Sequence, residues 1–451
     1  MDMEVINKIS VEPIVFLYVL AIFGEYTSVQ DLIFTKLCLN DLNSKSNQTH
    51  FNECKIDVNN KTEDLSKIES QTIDQLIKYN TILSITSIFG SFIAGSYGDT
   101  FGRLLPLSVP PVLSFMAQIL FIISSLYIDS NVNIFMILMS SAFICGLSGG
   151  VAGFLANSCG FISDITLQKS RTLRFVVLEA NIFCGAFFGY MSAGFILKNG
   201  FPHKYIICFT SYSLIHLFIL IYIWLRLTTF TTNSIQSSDE LNSNPKNLMV
   251  MFFDVIKTVF KRRQSNNRKL ILLLIVTFIC VTYGTVVLTS LLFLFVRNRP
   301  LVWDTSLYAY YSAIKFGATG LALCLLPLLQ HYFWPNICDT SIAIVGLLSR
   351  TFGLILIGLA TNTYVMFSTI ILLVFSEYPL PAIRSLLSKL VETNERGKVF
   401  AFLTLFHNLC SLSGGILFPM VYKNEIKIDA YSGLSFELTA ILQMIAIIVF
   451  M

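Results

Sequence analysis

The chain has 451 residues, of which 54% are hydrophobic and 13% charged, and its formal net charge is +4. Soluble globular chains carry about 25% charged residues, and a chain this apolar cannot hide its surface in one water-surrounded core. Lipid is therefore the expected solvent for most of it. The basic residues are spread over many loops, which argues against a nucleic-acid partner.

Apolar runs of about 20 residues, the length that crosses a bilayer, recur along the chain. Six lie near 11–34, 74–97, 104–128, 132–158, 171–197 and 204–228, and six more near 270–296, 306–330, 337–361, 364–391, 396–422 and 433–451. The alternating pattern of a membrane β-barrel is absent from the sequence. The pattern predicts an all-α membrane protein with twelve transmembrane helices in two six-helix halves. The halves are residues 1–228 and 269–451, with a linker at 229–268.

Two polar gaps indicate the orientation. The gap at about 36–72 contains glycosylation sequons that begin at Asn47 and Asn60, and their use would require this loop to face the lumen or the cell exterior. Such triplets also arise by chance in an Asn-rich loop. The gap at 229–268 ends in clustered Lys and Arg, which mark the cytoplasmic side. Both features predict a cytoplasmic N-terminus and linker and a luminal first loop.

A motif follows the second run: Gly-Ser-Tyr-Gly-Asp-Thr-Phe-Gly-Arg at 95–103. Gly95 allows a neighbouring helix to approach closely, Gly102 allows a tight turn, and Asp99 can pair with a positive group or a helix N-terminus. Together with Arg103 these residues resemble the GxxxDxxGR signature of the major facilitator superfamily. The resemblance implies a cytoplasmic gate that opens when the two halves rock. An ordinary polar turn is the alternative.

Segments in both halves resemble solute carrier family 46, the proton-coupled folate transporter family. They are 11–18, 163–180, 300–304, 383–391 and 395–400. The resemblance implies a central cavity shared by substrate and proton, with a helix 5 glutamate in proton coupling and a helix 10 arginine near the substrate. These positions match Glu179 and Arg384. Where the family has a histidine in helix 7, this chain has Tyr283. The cysteine that would pair with Cys54 in the family is absent from this chain, and Cys38 is the alternative partner.

Seven ionisable residues lie inside the apolar runs: Glu25, Glu179, Lys315, Arg350, Glu377, Arg384 and His407. A charge at a helix centre costs about 2.5–3.5 kcal/mol, so each needs an explanation. The rise per residue places Glu179 and Arg384 at the same depth, roughly 9 Å to the cytoplasmic side of the midplane. A carboxyl group in a low-dielectric site can carry a proton near neutral pH, and an arginine can clamp an anion. We therefore expect Glu179 to load a proton and Arg384 to hold a substrate anion or stabilise the ionised carboxylate; a structural ion pair is the alternative.

The other interior charges are weaker candidates. Lys315 and Glu25 lie near the midplane of helices that line the cavity in this fold, so both are candidates for substrate contact. Glu377 shares a helix face with Arg384 at about 10 Å and could also line the cavity. Arg350 is expected to pair with a neighbouring helix, and His407 to be a packed, hydrogen-bonded side chain. The excess of positive charge in the second half favours an organic anion as substrate.

The leading hypothesis is a secondary active transporter that couples proton flow to symport of an organic anion, folate-like or another carboxylated metabolite, by alternating access. It would work as a monomer in the plasma or lysosomal membrane, with protons as coupling ion and no cofactor or metal. A proton-independent facilitated carrier and a transporter-like receptor or scaffold are the alternatives. No nucleophile–base pair or phosphate loop supports an enzyme; the glycines of 146–150 predict a helix-packing surface within helix 4.

Overall fold

The structure is a computed structural model of the chain. It describes residues 11–45, 62–101, 103–128, 130, 133–165, 168–227, 257–261, 267–298, 300–332, 339–391, 395–427 and 433–450. Within these ranges the regular elements are helices and no strand is present. The predicted all-α class is thus confirmed.

In the part of the chain that the structure describes, the longer helices group into twelve segments in chain order. The first six are α1 Glu12–Lys45, α2 Thr62–Phe101, α3 Leu104–Leu126, α4 in two pieces Ile134–Leu147 and Gly150–Ile165, α5 Gln168–Asn199, and α6 Lys204–Tyr222 with a π-helical turn Ile223–Leu227. The next six are α7 Asn267–Ser290 continued by Leu292–Arg297, α8 Thr305–Tyr332, α9 Asp339–Gly358, α10 in two pieces Thr363–Leu373 and Pro379–Leu390, α11 Arg396–Lys427, and α12 Leu434–Phe450. In the described residues, nine helical spans are long and apolar enough to cross a bilayer.

Two helices are longer than the apolar runs predict. α1 continues to Lys45 and α2 begins at Thr62, so both extend into the polar gap predicted at 36–72. Hydropathy marks only the part of a helix that lies in lipid, whereas polar residues can extend the same helix into water. Asn47 and Asn60 lie outside the described residues.

Two helices are interrupted where the sequence offers a break. α4 stops after Leu147 and resumes at Gly150, with Gly149 at φ +85°, so these glycines break the helix instead of lying within it. A Cβ on Gly149 would come within 2.8 Å of the α2 backbone at Ser91, which only glycine avoids. α10 stops after Leu373 and resumes with Pro379 in its first turn, the position in a helix where proline is tolerated.

The two halves meet along two seams, α5 against α8 and α2 against α11. Glycines of α8 admit aromatic rings of α5 along the first seam. A Cβ on Gly317 would lie 2.9 Å from the Phe187 ring, and one on Gly320 would lie 2.6 Å from the Cβ of Phe183. We call the face where α1 begins and α6 ends the linker face, and the opposite face, where α1 ends and α2 begins, the first-loop face.

A buried ion pair fixes α1 to α5 near the linker face. Arg174 donates from Nε and Nη2 to Glu12 Oε1 at 3.0 and 2.8 Å, and Glu12 Oε2 accepts from the Val11 backbone N–H at 3.0 Å. Both charged side chains are buried. Removing one partner of such a pair leaves an uncompensated charge.

We predict that Arg174→Met lowers the free energy of unfolding by about 3–5 kcal/mol, because the buried Glu12 carboxylate loses its ion pair with Arg174. The double substitution Glu12→Leu with Arg174→Met should recover part of this loss, since no charge then remains. Thermal unfolding of the purified protein in detergent measures both. A double variant that is less stable than the single one would contradict the prediction.

Candidate transport site

Glu179 of α5 and Arg384 of α10 form an ion pair between the two halves. Arg384 Nη1 lies 3.0 Å from Glu179 Oε1, and the side chains are 47% and 34% exposed. Cys159 of α4 and His407 of α11 lie close enough to act on this pair electrostatically. Four helices, two from each half, therefore surround it, and both side chains stay partly exposed. The structure brings together two residues that the sequence placed only at equal depth.

Arg350 of α9 forms a second ion pair, within the second half. Its Nη2 lies 2.8 Å from Glu377 Oε1, and its side chain is 0% exposed. Arg350 Nη1 donates to the Val281 carbonyl at 2.6 Å and to Thr285 Oγ1 at 3.1 Å. Glu377 lies in the break of α10, between Leu373 and Pro379. The break turns its carboxylate to α9, so Glu377 compensates Arg350 and lies 16% exposed.

Lys315 of α8 is a buried cation without a carboxylate within ion-pair distance among the described residues. Glu377 and Arg350 are the charged groups that act on it, and they already form a pair with each other. The interior of the second half therefore keeps one uncompensated positive charge. That charge can attract an anion.

The residue after this lysine, Phe316, belongs to a group of aromatic rings from both halves. The Lys315 Nζ lies 4.7 Å from the centroid of the Phe316 ring. That ring stacks on Tyr190 of α5 at 5.5 Å and lies 5.3 Å from Phe23 of α1 and 6.2 Å from Phe183. A cation next to a group of rings fits an anion that carries an apolar body.

The remaining predicted site residues lie in separate places. Tyr283 of α7 shares a hydrogen bond of 2.8 Å with Ser413 of α11. Glu25 of α1 is 4% exposed and accepts from Gln118 Nε2 at 2.5 Å. It lies within the first half and contacts neither ion pair described above.

The motif at 95–103 is described only in part. Gly95 and Asp99 lie in the last turns of α2, and Gly102 lies outside the described residues. Arg103 precedes α3 and packs against α4: a Cβ on Gly160 would be 2.3 Å from Arg103 Nη1. Glycine at this position therefore provides the space that the guanidinium occupies.

A charged cluster at the first-loop face was missed by sequence reasoning. Asp31 of α1 is 6% exposed, with Lys204 Nζ at 2.8 Å and Arg297 Nη1 at 3.4 Å. Tyr205 donates to it at 2.7 Å, and Thr305 also donates to it. Arg297 and Thr305 belong to the second half, so this cluster, which we call the Asp31 cluster, joins the halves. Each member lies near the end of a predicted apolar run, where a charge looks like an ordinary interfacial residue.

Two further contacts occur at the same face. Asp74 of α2 pairs with Lys423 of α11, again between the halves. Cys38, near the end of α1, is in a disulfide bond whose other cysteine lies outside the described residues. The first-loop face is thus closed by paired charges, whereas the Glu179–Arg384 pair at the other end of the cleft is open to solvent.

Two helical bundles that meet along two seams and are joined by ion pairs have the architecture of a membrane transporter. The family model described as Major Facilitator Superfamily matches residues 71–422, and the chain belongs to this family. Its multi-pass membrane character and the prediction that it is not an enzyme are thereby confirmed.

Two known transporters are similar to this chain over most of its length. The lysosomal proton-coupled steroid conjugate and bile acid symporter SLC46A3 of Gallus gallus is 28% identical over 96% of this chain and 91% of its own length. The proton-coupled folate transporter of Rattus norvegicus is 26% identical over 91% of this chain and 85% of its own length. The resemblance to solute carrier family 46 is confirmed by these relatives.

Solved structures confirm the predicted major facilitator fold. The human organic anion transporter MFSD10 (TETRAN) superimposes with a TM-score of 0.63 at 14% identity, covering 98% of this chain and 99% of that chain. The xylose transporter XylE from E. coli, in a partially occluded inward-open conformation, gives 0.60 at 14% identity and 96% coverage of both chains. At this identity the likeness concerns the fold alone.

We predict that Arg297→Met opens the first-loop face. Losing a charge-assisted contact of about 1.5–3 kcal/mol should raise access to the cleft by about tenfold or more. Access is measured as the rate at which a membrane-impermeant maleimide labels Ser312→Cys. This position lies about two helical turns after Thr305 on α8. Lys204→Met is the matched control, because it removes an Asp31 partner from the same half and leaves the contact between halves in place. Equal labelling rates in both variants would contradict the prediction.

Proposed function

We propose that this protein couples proton flow to the symport of an organic anion by alternating access. The observation that supports it best is the solvent-exposed ion pair of Glu179 and Arg384 between the halves. A proton that binds Glu179 removes the negative charge from the pair. Arg384 is then free to clamp a carboxylate or sulfate through two parallel hydrogen bonds. Protonation of Glu179 leaves the positive charge of Arg384 without its carboxylate, and the anion compensates that charge. Proton and anion therefore bind together.

Lys315 supplies the second anchor for the anion in this proposal. Among the described residues it is a buried cation of the second half without a carboxylate at ion-pair distance. Its Nζ lies 4.7 Å from the centroid of the Phe316 ring, which contacts the rings of Tyr190 and Phe23. A bulky anion with a fused-ring or aromatic body suits such a wall. The names of the relatives support the same class, since one is a steroid conjugate and bile acid symporter and another a folate transporter. Tyr283 of α7, whose hydroxyl shares a hydrogen bond with Ser413, remains a candidate for contact with the substrate.

The orientation follows as part of the proposal. The N-terminus and the linker face lie in the cytoplasm, and the motif of Gly95, Asp99, Gly102 and Arg103 gates that side. The first-loop face lies outside the cell or in the lysosomal lumen, with glycosylation at Asn47 and Asn60. The disulfide at Cys38 supports this assignment, because disulfides persist in oxidising compartments. The halves at 1–228 and 269–451 rock as units, and one chain suffices.

Uptake into proteoliposomes tests the coupling. We expect labelled taurocholate, estrone sulfate or folate to enter faster from a mildly acidic medium than from a neutral one. Glu179→Gln should abolish this acid stimulation, because the amide carries no titratable proton. Glu395→Gln is the matched control, since Glu395 also forms an ion pair, with Lys261 at 2.8 Å, away from the cleft.

Two results would contradict the proposal. Uptake by the wild type that is independent of pH would favour a proton-independent carrier. No uptake of any of the three anions, with the protein present in the vesicles, would exclude this substrate class.

Substitution of Lys315 tests the anion anchor. We predict that Lys315→Gln raises KM for the transported anion by about tenfold or more, because a hydrogen bond to a charged group is worth about 1.5–3 kcal/mol. Lys315→Arg should keep most of the affinity, since it keeps the charge. A Lys315→Gln variant with unchanged KM but reduced maximal rate would assign Lys315 to the conformational change instead of binding.

A further inference from the structure

Glu25 occupies a site with an unusual charge balance. It lies at the middle of α1, 4% exposed. Its hydrogen-bond partners are Gln118 of α3, whose Nε2 lies 2.5 Å from Oε2, and Cys145 of α4, whose Sγ lies 3.8 Å from Oε1. No Lys, Arg or His lies within ion-pair distance of this carboxyl among the described residues. A carboxylate buried without a cation is costly.

The other groups that face Glu25 provide no positive charge. They are the hydroxyls of Tyr18 on the same helix, Tyr79 on α2 and Tyr212 on α6. Along α5, the surface that contacts this part of α1 is glycine: a Cβ on Gly189 would lie 2.5 Å from the α1 backbone. The site is therefore polar, nearly dry and neutral apart from the carboxyl itself.

The amide of Gln118 can accept a hydrogen bond from a protonated Glu25. Gln118 is fully buried, and its Oε1 has no hydrogen-bond partner among the described residues. A carboxylic acid can donate to that oxygen, whereas a carboxylate can only accept. With the amide turned over, its oxygen would face Glu25 Oε2 directly, and again only the protonated carboxyl can bond to it.

Asp31 shows what a carboxylate site looks like on the same helix. It has two cations and two hydroxyl donors around it. Glu25, six residues earlier and about 9 Å away along the axis, has one amide donor and a thiol. The two sites therefore differ in the positive charge that surrounds the carboxyl, although both carboxyls are buried on one helix.

We propose that Glu25 is a second proton-binding site, separate from the Glu179–Arg384 pair, and that its ligand is a proton and not the transported anion. The Asp31 cluster lies between Glu25 and the first-loop face, so that opening this cluster gives water access to Glu25. Proton exchange at Glu25 is then tied to the same movement that opens the first-loop face. Proton binding at Glu25 does not depend on the proposed symport, whereas its role in coupling rests on that proposal.

Infrared spectroscopy of the purified protein in lipid nanodiscs tests the site without any substrate. At neutral pH we expect a carbonyl band of a protonated carboxylic acid that Glu25→Gln removes and Glu179→Gln leaves in place. Gln118→Leu should keep the band and move it to higher frequency, because the acid loses its hydrogen-bond partner. A spectrum in which Glu25→Gln changes no acid band would overturn the proposal.

Transport measurements test whether the proton bound at Glu25 is moved together with the anion. The number of protons moved with each labelled taurocholate, obtained from the gradient that just halts net flux in proteoliposomes, should fall by one in Glu25→Gln. An unchanged number, with the infrared band lost, would make Glu25 a permanently protonated structural acid and overturn the coupling role. If no anion is transported, the symport proposal fails, and the infrared result still decides whether Glu25 binds a proton.

Discussion

Because the Asp31 side chain is 6% exposed and has little contact with solvent, its charge needs partners within the protein, and it finds them in both halves. Lys204 comes from the half that contains Asp31, whereas Arg297 and Thr305 come from the other. The charge of one side chain therefore determines that α1, α6, α7 and α8 converge at the first-loop face. Separating the halves there would leave Asp31 with one cation in place of two.

The contact at the other end of the cleft has a different character. Glu179 and Arg384 also join the halves, but about a third to a half of each side chain is exposed, so water already shares the solvation of both charges. An exposed pair is worth much less than a buried one. The molecule is thus held firmly at the first-loop face and weakly near the linker face. Such an asymmetry is what one end state of a rocking transporter requires.

Sequence periodicity predicted the helices because lipid demands long apolar runs, and it predicted the shared depth of Glu179 and Arg384 because the helical rise is constant. It could not predict which way the helices face. Glu377 shows the consequence: treating α10 as continuous placed it on the face of Arg384, whereas the break before Pro379 turns it to Arg350. The Asp31 cluster was missed because its members come from distant parts of the sequence and each lies near the end of a predicted apolar run.

The interior charges divide according to how fully the protein compensates them. Asp31 and Arg350 have partners on several sides and hold helices together. Among the described residues, Lys315 has no carboxylate and Glu25 has no cation within ion-pair distance. In the proposed mechanism the site in the second half takes an anion and the site in the first half takes a proton. Because α1 carries Asp31 and α8 carries Thr305, filling either site would then act on the contact that keeps the first-loop face closed.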